Sequence, residues 1–135
     1  MKIVNERPPI YDSIISAGMN PSPTVIYTYG DTIYNPGGGD LADHTIEHEE
    51  THCDQQGSDP DGWWSRYLVD AYFRTEQEAE AYGRQYAYIC ATVTDRNRRH
   101  KVLFDLARIL SGPIYGSVIG HTAAMKMIKE KSGIK

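Results

Sequence analysis

The chain has 135 residues, 40% of them hydrophobic, with ten tyrosines and a formal net charge of -4. This suits one domain over residues 1–135 with a modest core, and the acidic balance argues against a nucleic-acid-binding surface. No run approaches the ~20 apolar residues of a membrane span. The N-terminal Met-Lys-Ile-Val-Asn-Glu-Arg-Pro-Pro lacks the apolar stretch of a signal peptide, so a cytoplasmic protein is expected. Cys53 and Cys90 are far apart without Cys-x-x-Cys spacing, and read as reduced thiols.

Pro8, Pro9, Pro21 and Pro23 punctuate the first segment, and residues 10–17 predict two helical turns with Ile10, Ile14 and Ile15 facing a core. Residues 24–29 and 32–34 are β-branched and aromatic, with Gly30-Asp31 between them as a two-residue hairpin turn. An edge strand of this kind is suited to hold an extended peptide by strand addition, and equally to cover one side of a core. Asn35-Pro36-Gly37-Gly38-Gly39 is a loop leading into the next element.

Residues 41–56 read as one helix, with Asp40 as N-cap, Asp43 in the first turn and Gly57 as its stop. Within it, His48-Glu49-Glu50-Thr51-His52 has the pattern His-Glu-x-x-His. Histidines four apart project from one side of a helix, so His48 and His52 can reach one metal ion while Glu49 stands ready to accept a proton from water. That is the arrangement of a zinc hydrolase. His44 extends the spacing, but each step of four turns the helix by about 40°. His44 is therefore expected as an exposed first-turn residue or as a support behind the ligands. Cys53 points away from His52 and is not expected as a ligand.

Ser58-Asp59-Pro60-Asp61-Gly62 forms a second loop whose aspartates lack EF-hand spacing and act as turn formers. Residues 63–72 resume helical character, with Trp63, Tyr67, Leu68 and Tyr72 packing inward. A catalytic zinc site takes a third protein ligand, and residues 74–85 offer Glu76, Glu78 and Glu80. Glu78 shares a face with Ala81, Tyr82, Gln85 and Ile89, which makes it the ligand, whereas Glu76 and Glu80 lie on a stripe continuing to Arg84 that belongs on a wet surface. The competing reading has Thr75 as an N-cap, with Glu78 closing a capping box.

The β-branched and hydroxylated stretch at residues 92–94 predicts a break near Asp95. Val102, Leu103, Leu106, Ala107 and Leu110 then make an amphipathic helix ending before Ser111-Gly112-Pro113, flanked by Arg96, Arg98, Arg99 and Lys101 as a solvated basic face. Thr122 is expected to cap a last helix carrying Met125 and Ile128. Candidates for stabilising an oxyanion are Tyr67, Tyr82, Tyr115 and His121.

The His-Glu-x-x-His helix followed by a second helix with Glu-x-Glu-Ala resembles the gluzincin metallopeptidases. It is most similar to their minimal single-domain forms and to phage and bacterial proteins sharing Ile-Tyr-Asn-Pro (residues 33–36), His-Glu-x-x-His-x-x-Gln (48–55) and Pro-x-Tyr-Gly (113–116). The likeness runs from about residue 24 onward. In that family the third ligand is a Glu with a small residue three positions later, which both Glu76 and Glu78 satisfy. The resemblance implies an α+β, mainly helical single domain with an N-terminal β-hairpin and zincin-like active-site helices. It also implies Zn2+ as cofactor and a peptide or protein as substrate. Two other readings stand beside it: a catalytically silent, zinc-stabilised binding or virion-associated protein, and a helical interaction module without metal.

Overall fold

A computed structural model describes residues 1–19 and 21–135. Strand β1 (Lys2–Val4) and helix α1 (Tyr11–Ser16) precede a hairpin of β2 (Tyr27–Tyr29) and β3 (Thr32–Tyr34). Helices α2 (Asp43–Gln56), α3 (Pro60–Val69), α4 (Ala71–Thr92) and α5 (Arg96–Leu110) follow, then a 3-10 turn (Pro113–Tyr115) and α6 (His121–Ser132). The architecture is the expected α+β arrangement, mainly helical with a small sheet. Among the described residues no helix is long and apolar enough to cross a membrane, and Cys53 and Cys90 are unpaired.

The sheet holds a strand that the sequence reading did not anticipate. β1 pairs in parallel with β3, Ile3 opposite Ile33, so β3 is the central strand and β2 an edge. Three residues are too few to show alternation, which is why Lys2–Val4 gave no signal. Gly30, at φ 63°, makes the hairpin turn, whose first central position requires positive φ.

Capping shifts several expected boundaries. Helix α2 begins at Asp43 after an extended Ala42, and Asp40 does not cap it. Asp59 caps α3 by accepting from the Gly62 N–H at 2.9 Å, so the expected loop at 58–62 already contains the helix start. Asp70 is the only residue between α3 and α4: its N–H ends α3 on the Arg66 carbonyl and its side chain accepts from Phe73 N–H. The continuous helix expected over 63–72 is therefore broken at Asp70. The break resets the helical phase, leaving Tyr72 76% exposed instead of packed. Thr75 lies inside α4 with its hydroxyl on the Ala71 carbonyl, so Glu78 closes no capping box. Thr122 likewise lies within α6, whose N-cap is Gly120.

Two apolar clusters flank α4. One gathers Tyr82 and Tyr86 of α4 with Leu103, Leu106 and Leu110 of α5 and Ile128 of α6. The other gathers Ile14, Tyr27, Trp63, Trp64 and Tyr67. Leu110 and Ile128 are fully buried, and each such side chain stabilises by about 1.5–3 kcal/mol. In α1 only Ile14 is buried, while Ile15 faces out, since one residue turns a helix by about 100°. Helix α6 crosses α4 at Gly83, where a Cβ would stand 2.7 Å from Lys131 Cβ. In the basic stretch, Arg99 is half-buried and donates to the Cys90 and Val93 carbonyls, closing the end of α4.

Candidate metal centre

Helix α2 turns a polar face inward: His48, Glu49, Thr51, His52 and Gln56 are its buried residues. Burial of that kind is costly without partners, and α4 supplies them. Glu78 is buried on the face of α4 that meets α2, while Glu76 and Glu80 are exposed. The structure thus sorts the three carboxylates by burial, with Glu78 facing the histidines and Glu76 and Glu80 facing solvent. On that wet stripe Arg84 pairs across to α2, reaching Asp54 at 2.9 Å and Glu47 at 3.4 Å.

His48 Nε2, His52 Nε2 and Glu78 Oε1 form a triangle with edges of 3.2, 3.0 and 3.1 Å. All three residues are buried, and the group can hold a metal ion. A tetrahedral ion with bonds of about 2.0–2.1 Å spaces its ligand atoms about 3.3 Å apart, so the donors already stand close to coordination spacing. Two imidazole nitrogens and one carboxylate oxygen form a mixed set suited to a divalent transition ion.

The far sides of both rings are fixed. Gln55 Nε2 donates to the Gln77 carbonyl at 2.9 Å, and because a carbonyl only accepts, Gln55 must turn its oxygen to His52 Nδ1 at 2.8 Å. That ring nitrogen therefore carries the proton, and Nε2 is the atom aimed at the triangle. His48 Nδ1 meets Gln85 Oε1 at 2.9 Å, and Gln85 Nε2 continues to His44 Nδ1 at 2.9 Å. His44 thus stands behind His48, linked to it through Gln85. Partners of this kind set ring orientation and raise ligand basicity.

Electrostatics point to the same spot. Burial works against charge on His52, yet the Glu78 carboxylate, its hydrogen bond and Glu49 lift the imidazole to about 9. Burial also opposes charge on Glu78, but the His52 charge and the hydrogen bonds from both imidazoles hold its carboxyl well below the usual carboxylate range. Three electron-rich atoms converge on one point and demand a cation there, proton or metal.

Glu49 is buried beside this cluster. Its burial raises the carboxyl above its ordinary value, against the lowering influence of His48 and His52. Thr28 Oγ1 donates to the Glu49 carbonyl at 3.1 Å and to Oε2 at 3.4 Å, tying α2 to β2. The β2 edge is closed at the same residue. The Thr28 carbonyl accepts Gln56 Nε2 at 2.7 Å and Trp64 Nε1 at 2.9 Å, so an added strand cannot pair there.

The oxyanion candidates divide. Tyr67 donates its hydroxyl to Glu78 Oε2 at 2.6 Å, and burial followed by the Glu78 charge keeps it protonated, so it braces a ligand and has no proton left for an oxyanion. His121 rests on Phe104, with Nε2 3.0 Å from its carbonyl, and is not among the residues lining the cavity over the triangle. Tyr82 stands with its ring 4.5 Å from that of His48 and its hydroxyl 2.8 Å from that of Tyr115, which lines the cavity. Gln85 and Arg74 were legible in part: both share the inward face of α4 with Glu78, seven residues after and four before it. A cavity of about 670 Å³ opens over the triangle, walled by α1, the segment after it, α3 and the 3-10 turn. Protein-family models, curated proteins and solved structures were each compared with the chain, and none matches.

Proposed function

We propose that this chain is a zinc-dependent peptidase of zincin-like design. The observation that carries the reading is the buried triangle of His48 Nε2, His52 Nε2 and Glu78 Oε1 with Glu49 next to it. His48 and His52 would hold the ion through their Nε2 atoms and Glu78 through Oε1. When bound, zinc supplies Lewis acidity that polarises a carbonyl and makes water acidic enough to lose a proton near neutral pH.

The chain's own residues supply the rest. Glu49 accepts the proton of the attacking water and hands it to the leaving amine; its burial, which raises the carboxyl, suits it to both roles. Tyr67 and the two glutamines keep the ligands from turning away. Tyr115 lines the cavity, and with Tyr82 as the donor in the 2.8 Å bond between their hydroxyls, its own proton would serve a developing oxyanion. A purely structural zinc site takes four protein ligands and has no use for a buried carboxylate at position 49, which favours an enzyme over a silent binding protein.

The test uses zinc-loaded wild type and Glu49→Gln with a mixed peptide library, read by mass spectrometry for new termini. We expect cleavage by wild type only, with equal zinc content in both proteins. Absence of new termini with zinc-loaded wild type would overturn the reading.

A further inference from the structure

Arg74 is a buried cation that the metal centre does not use. It lies one helical turn before Glu78, 8% exposed, and lines the same cavity as His48, Glu49 and His52. Its Nε donates to the Tyr67 carbonyl at 2.9 Å and Nη2 to the Leu68 carbonyl at 3.1 Å, which closes the end of α3. Among the described residues no Asp or Glu pairs with it, and Nη1 has no hydrogen-bond partner. A buried guanidinium without a counter-ion is expensive, and its planar fork matches a carboxylate. The loop above it passes close: Gly116, at φ 98°, carries no Cβ, and one placed there would stand 3.7 Å from Nη1 and 3.3 Å from Ala71 Cβ.

Arg74 stands one helical turn before Glu78 on α4, and both line one cavity. A peptide whose carbonyl meets the triangle can therefore turn its terminal carboxylate toward the guanidinium. Ile14, Val25, Ile26, Trp64, Leu68 and Ile114 give the cavity a largely apolar lining.

We propose that Arg74 binds the terminal carboxylate of a peptide, so that the chain removes a single apolar residue from a C-terminus. The inference rests on the peptidase reading for its chemistry. Water adds its oxygen to the acyl carbon, the carbon–nitrogen bond breaks, and the nitrogen leaves with the proton carried by Glu49. The products are a shortened peptide acid and a free amino acid.

The test measures binding apart from turnover. Zinc-loaded Glu49→Gln protein is titrated calorimetrically with N-acetyl-Ala-Leu as the free acid and as its C-terminal amide. We expect the acid to bind at least about tenfold tighter, Arg74→Met in that background to abolish the preference without changing amide binding, and Arg74→Lys to keep part of it. Equal binding of acid and amide, binding of neither, or a preference surviving Arg74→Met would each overturn the assignment. Should Arg74→Met not melt cooperatively, the acid-to-amide ratio of the Glu49→Gln protein decides alone. Leucine release by wild type is followed in parallel: a preference for the acid without leucine release sinks the peptidase reading and the exopeptidase assignment built on it, while leaving Arg74 as a carboxylate site.

Discussion

Gln55 and His52 are joined in a way that leaves the imidazole no choice of face. The carboxamide nitrogen of Gln55 is committed to the Gln77 carbonyl at 2.9 Å, so its oxygen takes His52 Nδ1 at 2.8 Å. Gln85 sets its Oε1 2.9 Å from His48 Nδ1 and its Nε2 2.9 Å from His44 Nδ1. Replacing either glutamine by Leu should weaken metal binding by about 10–100-fold while leaving the ligand set intact. Competition titration against a chromophoric chelator measures this, and affinity unchanged in both variants would deny the glutamines that role.

Glu78→Ala should remove a ligand and leave two imidazoles facing each other, so the purified protein should carry little metal. Glu76→Ala and Glu80→Ala, both on the exposed face, should keep it. Tyr67→Phe is predicted to fall between, losing about tenfold in affinity or more, because a hydrogen bond to a charged group contributes about 1.5–3 kcal/mol. Elemental analysis after dialysis ranks the four proteins.

Acidity should act in opposite directions on the metal-free and metal-loaded protein. Without metal, His52 is raised from 6.5 to about 9, chiefly by Glu78 working against burial. A raised folded-state pKa contributes stability below pH 6.5 that is lost as pH rises through 9. With metal, the imidazoles must shed protons to bind, so loaded protein should gain over the same window. Paired denaturant melts across that range check it, and parallel trends would contradict the coupling.

Stripping the metal should lower the melting temperature in a concentration-dependent way. At free metal 100-fold above Kd, binding stabilises by about 2.7 kcal/mol. Calorimetric scans with and without chelator read the loss, and identical scans would mean that the triangle holds nothing tightly.

Gly83→Ala tests the helical core independently of the site. The added Cβ would stand 2.7 Å from Lys131 Cβ and 2.9 Å from its carbonyl carbon, so α6 must move away. Overpacking of this kind costs about 1–3 kcal/mol. The denaturation midpoint should fall accordingly, with metal content unchanged.

The site was more legible than the frame around it. His48 and His52 follow from spacing, and Glu78 from a periodicity that α4 obeys without interruption over Ala71–Thr92. Where one helix was read across Asp70, the same periodicity misled, because a single extended residue restarts the phase and throws Tyr72 outward. β1 was illegible for another reason: its pairing with β3 joins residues about thirty positions apart, and no local pattern encodes it. Spacing puts Arg74 on the inward face of α4, but only the fold shows that its neighbours are carbonyls and not carboxylates.

None of the buried residues of α2 is apolar, so the helix has little oily adhesion to the rest of the molecule. Its attachment depends on directional bonds that fail together once one end lets go. With its cation chelated, α2 should therefore swing open as a unit, its amide protons trading with deuterium well ahead of those in α4 and α6.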